Sequence, residues 1–86
     1  MTLEKRPLKD IIGKLVVTKE GRRLGFVKDI SFETKTGELI QLLLKDPTPY
    51  IRNLNLEMSS SKEALIPYNA IIAIGDFVVV SEEDLL

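Results

Sequence analysis

The 86-residue sequence predicts a single domain (1–86) of the all-β class, a small and strongly bent antiparallel sheet with at most one short helical turn. Two observations predict this class. Short runs rich in Val, Ile, Leu and Phe recur along the chain, and polar turns that contain glycine separate them. This alternation is typical of small sandwiches and barrels.

The first two strand-like runs, residues 15–18 and 23–32, predict a β-hairpin. Gly21 lies where a short hairpin loop needs a left-handed residue, a conformation that glycine adopts without steric cost. Near residues 28–29 the apolar side chains change parity, so a β-bulge there would bring three of them to one face and bend the sheet. These three are Val27, Ile30 and Phe32.

A second polar turn, residues 33–37, leads into a strand predicted over residues 38–45. This strand is apolar on both faces, whereas a surface sheet in a monomer needs only one face buried. Either this chain or a second subunit therefore covers the other face. Ile40, Leu42 and Leu44 point to one side, and Leu39 and Leu43 to the other.

Residues 46–62 form an irregular apolar insertion with two prolines near its start. Thr48-Pro49 could begin a helical turn, and residues 54–58 alternate as a strand would, so the spacing leaves both open. An apolar loop needs cover, which either another chain or its own barrel supplies. The candidate protein-interaction residues are Leu39, Leu43, Tyr50, Ile51, Leu54 and Leu56.

The C-terminal part predicts short strands followed by an acidic tail. Pro67 must end a strand or lie at an edge, because proline donates no ladder hydrogen bond. Residues 71–80 predict a tight hairpin in which Gly75-Asp76 supplies the positive φ of a two-residue turn. Residues 81–86 form an acidic C-terminal tail that we expect to fray.

Composition excludes most catalytic chemistry, because the chain has no Cys and no His and its carboxylates stand in no catalytic or calcium-binding motif. We expect no enzyme, no cofactor and no metal site. No apolar run is long enough to span a membrane, which predicts a cytoplasmic protein without membrane insertion. Several glycines and aspartates are better explained as structural turn residues: Gly21, Gly25, Asp29, Gly37, Gly75 and Asp76.

Charge is unevenly distributed, although the formal net charge is only −1. Residues 1–45 carry ten Lys/Arg and six Asp/Glu, and residues 46–86 carry two and seven. Either these charges only solvate the sheet, or the first half presents a basic patch to an acidic partner, RNA or an anionic membrane surface. No aromatic residue is interleaved with the cations for base stacking. The candidate basic patch is Lys14, Lys19, Arg22 and Arg23.

Taken in order, the local motifs resemble a stand-alone PRC-barrel domain over residues 8–80. They are I-G-K-x-V at 12–16, G-x-x-L-G-x-V-x-D-I at 21–30, T-G at 36–37, I-P at 66–67 and I-G-D at 74–76. The resemblance implies a small, strongly bent β-barrel that serves chiefly as a protein-binding module. Free-standing versions of this length resemble archaeal PRC-barrel proteins, some of which act in cell division by binding SepF, the membrane anchor of the FtsZ ring.

We therefore expect a non-catalytic adaptor that forms a homodimer and binds a protein partner such as a SepF-like division protein. The surplus of apolar surface favours this function, because apolar area finds a protein more readily than a phosphate backbone. The alternative is an RNA- or ribosome-associated maturation factor that uses the basic turn Lys19–Arg23.

Overall fold

The computed structural model describes residues 10–59 and 63–85, with the side chains of residues 39 and 40 outside this description. Seven strands form one sheet in the order β4-β5-β3-β2-β1-β7-β6. Neighbouring strands are antiparallel except β1 and β7, which are parallel. The strands are β1 (Leu15–Thr18), β2 (Arg23–Phe32), β3 (Leu39–Lys45), β4 (Glu57–Met58), β5 (Ala64–Pro67), β6 (Ile71–Ile74) and β7 (Val78–Val80).

The predicted all-β class is confirmed, because the helical elements in the described part are short 3₁₀ helices. They comprise Pro49–Asn53, Tyr68–Ala70 and Glu82–Leu85. The sheet is bent but does not close, since β4 and β6 are the two ends of the strand order. The expectation of a wholly antiparallel sheet is wrong at one place, the parallel pairing of β1 with β7.

The predicted hairpin of β1 and β2 is confirmed, together with its turn and its bulge. Gly21 has φ +87°, and its N–H donates to the Thr18 carbonyl over 2.9 Å. The register of β2 against β3 shifts between Val27 and Asp29, and the Asp29 side chain accepts the N–H of Ile30 over 2.8 Å. Asp29 therefore stabilises irregular backbone, as predicted.

The bulge brings two of the three predicted side chains inward, and the third prediction is wrong. Val27 is fully buried and Ile30 packs against the core. Phe32 is exposed, because the register shifts again between Ser31 and Phe32. The second register shift turns Phe32 to the opposite side of the sheet from the one on which the first shift places Ile30.

Both open alternatives for the irregular segment occur, in shortened form. A 3₁₀ helix begins at Pro49, and Thr48 precedes it without capping it, since the Thr48 hydroxyl donates to the Arg23 carbonyl over 2.6 Å. The strand shrinks to the two residues of β4. Pro67 ends β5, as predicted.

The turn between β6 and β7 differs from the prediction. Neither Gly75 nor Asp76 has a positive φ, and the turn spans residues 75–77. Because three residues connect the strands, the left-handed backbone of a two-residue turn is not required. Phe77 consequently belongs to the turn, and β7 begins at Val78. A positive φ occurs instead at Asp46, with φ +50°.

One apolar core packs against the sheet. Its largest fully buried members come from β1, β2, β3, β5 and β7 and from the turn before β1. The C-terminal 3₁₀ helix completes it, because Leu85 is only 3% exposed and the Leu85 carbonyl accepts the N–H of Asn55 over 2.9 Å. The expectation that this tail frays is therefore wrong: one apolar anchor and a backbone bond hold it.

Candidate protein-binding surfaces

The structure places most of the predicted interaction residues against the protein's own core. Leu54 is a core residue, and Tyr50, Ile51 and Leu56 are half-buried and pack around that core. The side chain of Leu39 lies outside the described residues. The segment thus covers its own sheet at Leu54, which was the alternative to an interface.

Part of the second face of β3 is also covered from within the chain. Leu43 is half-buried and pairs with Leu65 of β5. Beside them a pocket of about 210 Å³ separates β3 and β5 from the segment before β4 and from the C-terminal 3₁₀ helix. It is lined by Gln41, Asn55, Leu56, Glu57, Leu65, Pro67, Asp84 and Leu85.

A shallow groove runs along the irregular segment, and we call it the loop groove. Its volume is about 440 Å³, and Arg52 provides the charge in its lining. The other lining residues are Pro47, Thr48, Pro49, Ile51, Leu54, Leu56 and Met58. The groove can accept an apolar side chain, and Met58 is exposed beside it.

The predicted basic patch does not form one cluster. Lys14 lies before β1 and its ammonium donates to the Gly75 carbonyl, whereas Lys19, Arg22 and Arg23 lie at the opposite end of β1. The Arg22 guanidinium stands 4.7 Å from the centroid of the Tyr50 ring, a cation–π distance. Arg22 is therefore engaged within the protein.

Tyr50 also contacts the C-terminal 3₁₀ helix, so that Arg22, Tyr50 and Glu82 form one polar network. The Tyr50 hydroxyl donates to the Glu82 carboxylate. This hydrogen bond is the main reason why the pKa of Glu82 lies below its ordinary value and the pKa of Tyr50 above its own. The positive charge of Arg22 lowers the pKa of Glu82 further. The network joins three segments that are distant in sequence.

Several exposed apolar side chains lie elsewhere, on the side of the sheet that faces away from the core. We call this side, over strands β6, β7, β1 and β2, the outer face. Leu15 pairs with Phe26. Phe77 lies in the turn one residue before Val78, which pairs with Val16, so Phe77 and Leu15 both lie next to the first pair of the parallel ladder. Lys45 of β3 pairs with Phe26 at the other end of this row. Phe77 is 52% exposed and Phe26 40%.

A second row of paired residues crosses β6, β7, β1 and β2, and it meets β1 two residues after Leu15. Val17 pairs with Val79 on one side and with Arg23 on the other, and Val79 pairs with Ala73 of β6. The register of β6 shifts between Ile71 and Ala73, which leaves Ile72 46% exposed. Each apolar row therefore ends on a cation, Lys45 in the first row and Arg23 in the second.

Sequence reasoning missed the outer face because its rows join residues from both ends of the chain. Local alternation does mark Phe26 and Leu15 as opposite in parity to the buried Val16 and Val27. The parallel pairing that adds Phe77 and Val79 leaves no local pattern in the sequence.

The described residues contain no candidate metal site. No group of three or more Asp and Glu side chains within residues 10–59 and 63–85 is arranged to hold a metal ion. Within the same ranges, no helix has both the length and the apolar character that crossing a bilayer requires. Gly21, Gly25 and Gly37 each have a positive φ, and Gly25 lies within β2 and not in a turn.

The described residues form a bent β-sheet with exposed apolar side chains on one face. The family model of the PRC-barrel domain matches residues 4–86, so the chain belongs to the PRC-barrel family. Members of this family are generally non-enzymatic. The chain is also similar to the uncharacterized protein MJ1118 of the archaeon Methanocaldococcus jannaschii, with 33% identity over 85 residues that cover 96% of this chain and 89% of the relative.

Proposed function

We propose that this protein is a non-catalytic, cytoplasmic adaptor that binds another protein through its PRC-barrel. One observation carries the proposal: the outer face presents several large apolar side chains to solvent in an otherwise well-packed small domain. Exposed apolar residues that stand singly are ordinary, but a contiguous group across four strands is typical of an interaction site. The family membership supports the same class of function.

A narrower form of the proposal concerns the identity of the partner. Family resemblance suggests archaeal cell division, with a SepF-type anchor of FtsZ as the partner. The similarity to an archaeal protein supports an archaeal setting and leaves the partner to experiment.

The test compares partner capture by the wild type, by Phe77→Thr and by Met58→Thr. Affinity capture from native lysate identifies bound proteins, and each is then purified and titrated against the three proteins by calorimetry. A SepF-type protein of the same organism is titrated in parallel. We expect a stoichiometric complex that Phe77→Thr weakens and Met58→Thr leaves intact. Failure of every purified protein to bind contradicts the adaptor function.

RNA binding is the second candidate, because the structure supplies aromatic rings that the sequence did not place beside cations. Phe26 is exposed and pairs with Lys45 of β3, and Arg23 lies on the same strand as Phe26. Bases can stack on an aromatic ring that has cations beside it. Aliphatic residues occupy most of the face between the rings, and this favours a protein partner. Titration with total RNA at rising salt separates the two, because phosphate binding weakens steeply with salt.

A further inference from the structure

We propose that the partner of the outer face is a short amphipathic helix whose apolar stripe is flanked by acidic residues. This inference rests on the adaptor function proposed above and adds the chemistry of the partner. The first argument is that the apolar surface continues across β2, β1 and β7, because Leu15 pairs with Phe26 and Val17 pairs with Val79. Phe26 and Phe77, which directly precedes β7, are the more exposed side chains. Such a surface fits a stripe of aliphatic side chains better than separate bases.

Charge gives the second argument. Lys45 and Arg23 end the two apolar rows, and Lys19 is the first residue of the turn after β1. All three side chains belong to exposed residues, and none forms an ion pair with another described residue. Three unpaired cations along one margin of an apolar face are complementary to an acidic flank, and they oppose a second copy that presents the same margin.

Size gives the third argument. Neighbouring strands are about 4.8 Å apart, so the face from β7 to β3 spans three such steps, about 14 Å across the sheet. A helix of about ten residues covers this distance at a rise of about 1.5 Å per residue. Apolar side chains at positions i, i+3, i+4 and i+7 would lie along the row, with acidic residues towards the β2–β3 margin.

The experiment uses two synthetic 18-residue peptides with the same leucine stripe and one Trp, one with glutamates on its other face and one with lysines. The protein contains no Trp, so the emission of the peptide reports binding without background. We expect the glutamate peptide to bind, with an affinity that falls as salt rises, and the lysine peptide to bind at least about tenfold more weakly.

Matched variants locate the site. Phe26→Thr combined with Phe77→Thr should weaken binding of the glutamate peptide about tenfold or more, because anchors of this kind dominate interfaces. Met58→Thr, at a residue equally exposed beside the loop groove, is the control and should change nothing. Arg23→Glu with Lys45→Glu should reverse the preference between the two peptides, whereas Lys35→Glu in the exposed turn after β2 should not.

Other occupants give different results. The proposal is overturned if both peptides bind equally, or if neither binds while an oligouridine RNA or phosphatidylglycerol vesicles do. It is also overturned if Phe77→Thr converts a dimer into a monomer, because a second copy would then occupy the face. A partner that binds the wild type but is lost with Met58→Thr and not with Phe77→Thr would leave the adaptor function standing and refute this inference.

Discussion

Gly25 shows how a single residue determines the local path of the chain. It has φ +151°, and a Cβ added there would lie 3.0 Å from the Lys45 carbonyl oxygen and 3.3 Å from the Cα of Pro47. Both of these atoms belong to the backbone, which cannot move aside as a flexible side chain can. Glycine is therefore required where β2 passes under the end of β3, and this explains the second glycine of the G-x-x-L-G motif.

Gly25→Ala should lower the free energy of unfolding by about 1–3 kcal/mol, because it adds steric contact to an unfavourable φ. Gly75→Ala is the matched control, since Gly75 has an ordinary φ and open space around its Cα. Urea unfolding followed by circular dichroism measures both variants. Equal stability of the two would contradict the steric argument.

The hydrogen bond from Tyr50 to Glu82 predicts a pH dependence with a definite sign. Because the pKa of Glu82 is lowered, its contribution is complete above the ordinary value of 4.5 and is lost as pH falls through the folded value. Because the pKa of Tyr50 is raised, its contribution is complete below 10.0 and is lost as pH rises through the folded value.

Tyr50→Phe should therefore lower the melting temperature most between these two limits, and the difference from wild type should narrow outside them. Thermal melts from acidic to alkaline pH measure this difference, with Tyr68→Phe on the surface as the control. A difference that stays constant across the whole range would show that the hydroxyl does not act through Glu82.

The sequence predicts elements that depend on contacts between neighbouring residues. It does not predict elements that depend on contacts between residues distant in the chain. The β1–β2 hairpin with its Gly21 turn and its bulge follows from glycine placement and side-chain parity. The C-terminal 3₁₀ helix does not, because its acidic residues resemble a solvated tail. Only the buried position of Leu85 beneath the irregular segment shows that this helix belongs to the core.

Leu85→Ala should lower the free energy of unfolding by about 2–4 kcal/mol, because it leaves a cavity under the C-terminal 3₁₀ helix. Glu83→Ala, on the exposed side of the same helix, should change it little. The midpoints of urea unfolding measure both. An unchanged midpoint for Leu85→Ala would restore the expectation of a frayed tail.

The sequence also did not predict which residues of the irregular segment are buried. Leu54 lies in the core and Met58 on the surface, although the sequence presents both as apolar residues of one loop. Composition shows that such a loop needs cover, but it does not show which of its residues face inward. Packing against the sheet makes that choice at each position.

At the scale of the whole molecule, the parallel pairing of β1 with β7 joins the two ends of the chain into one sheet. It also brings the basic end of β1 beside β7 and creates the outer face. The apolar second face of β3 continues the same side of the sheet as the outer face, because Leu43 lies two residues from Lys45 on this strand. It is a candidate for self-association, with Leu43 half-buried upon it.

We predict a homodimer formed through this second face. Burial of a fully exposed leucine contributes about 1.5–3 kcal/mol, before the entropy of association is subtracted. Light scattering after size exclusion should give about twice the chain mass of 9.7 kDa. Leu43→Thr should favour the monomer, and Phe77→Thr should not. A wild-type monomer at high micromolar concentration would contradict the prediction.

The sequence by itself determined the fold class, the family and the positions of the turns, because glycine, proline and the alternation of apolar residues act over a few neighbours. The tertiary structure alone decided which apolar residues remain exposed. Leu54 and Leu85 are buried, whereas Phe26 and Phe77 are exposed. The reason is that burial depends on strands paired across the whole length of the chain, and parity within one strand does not specify which partner lies beside it.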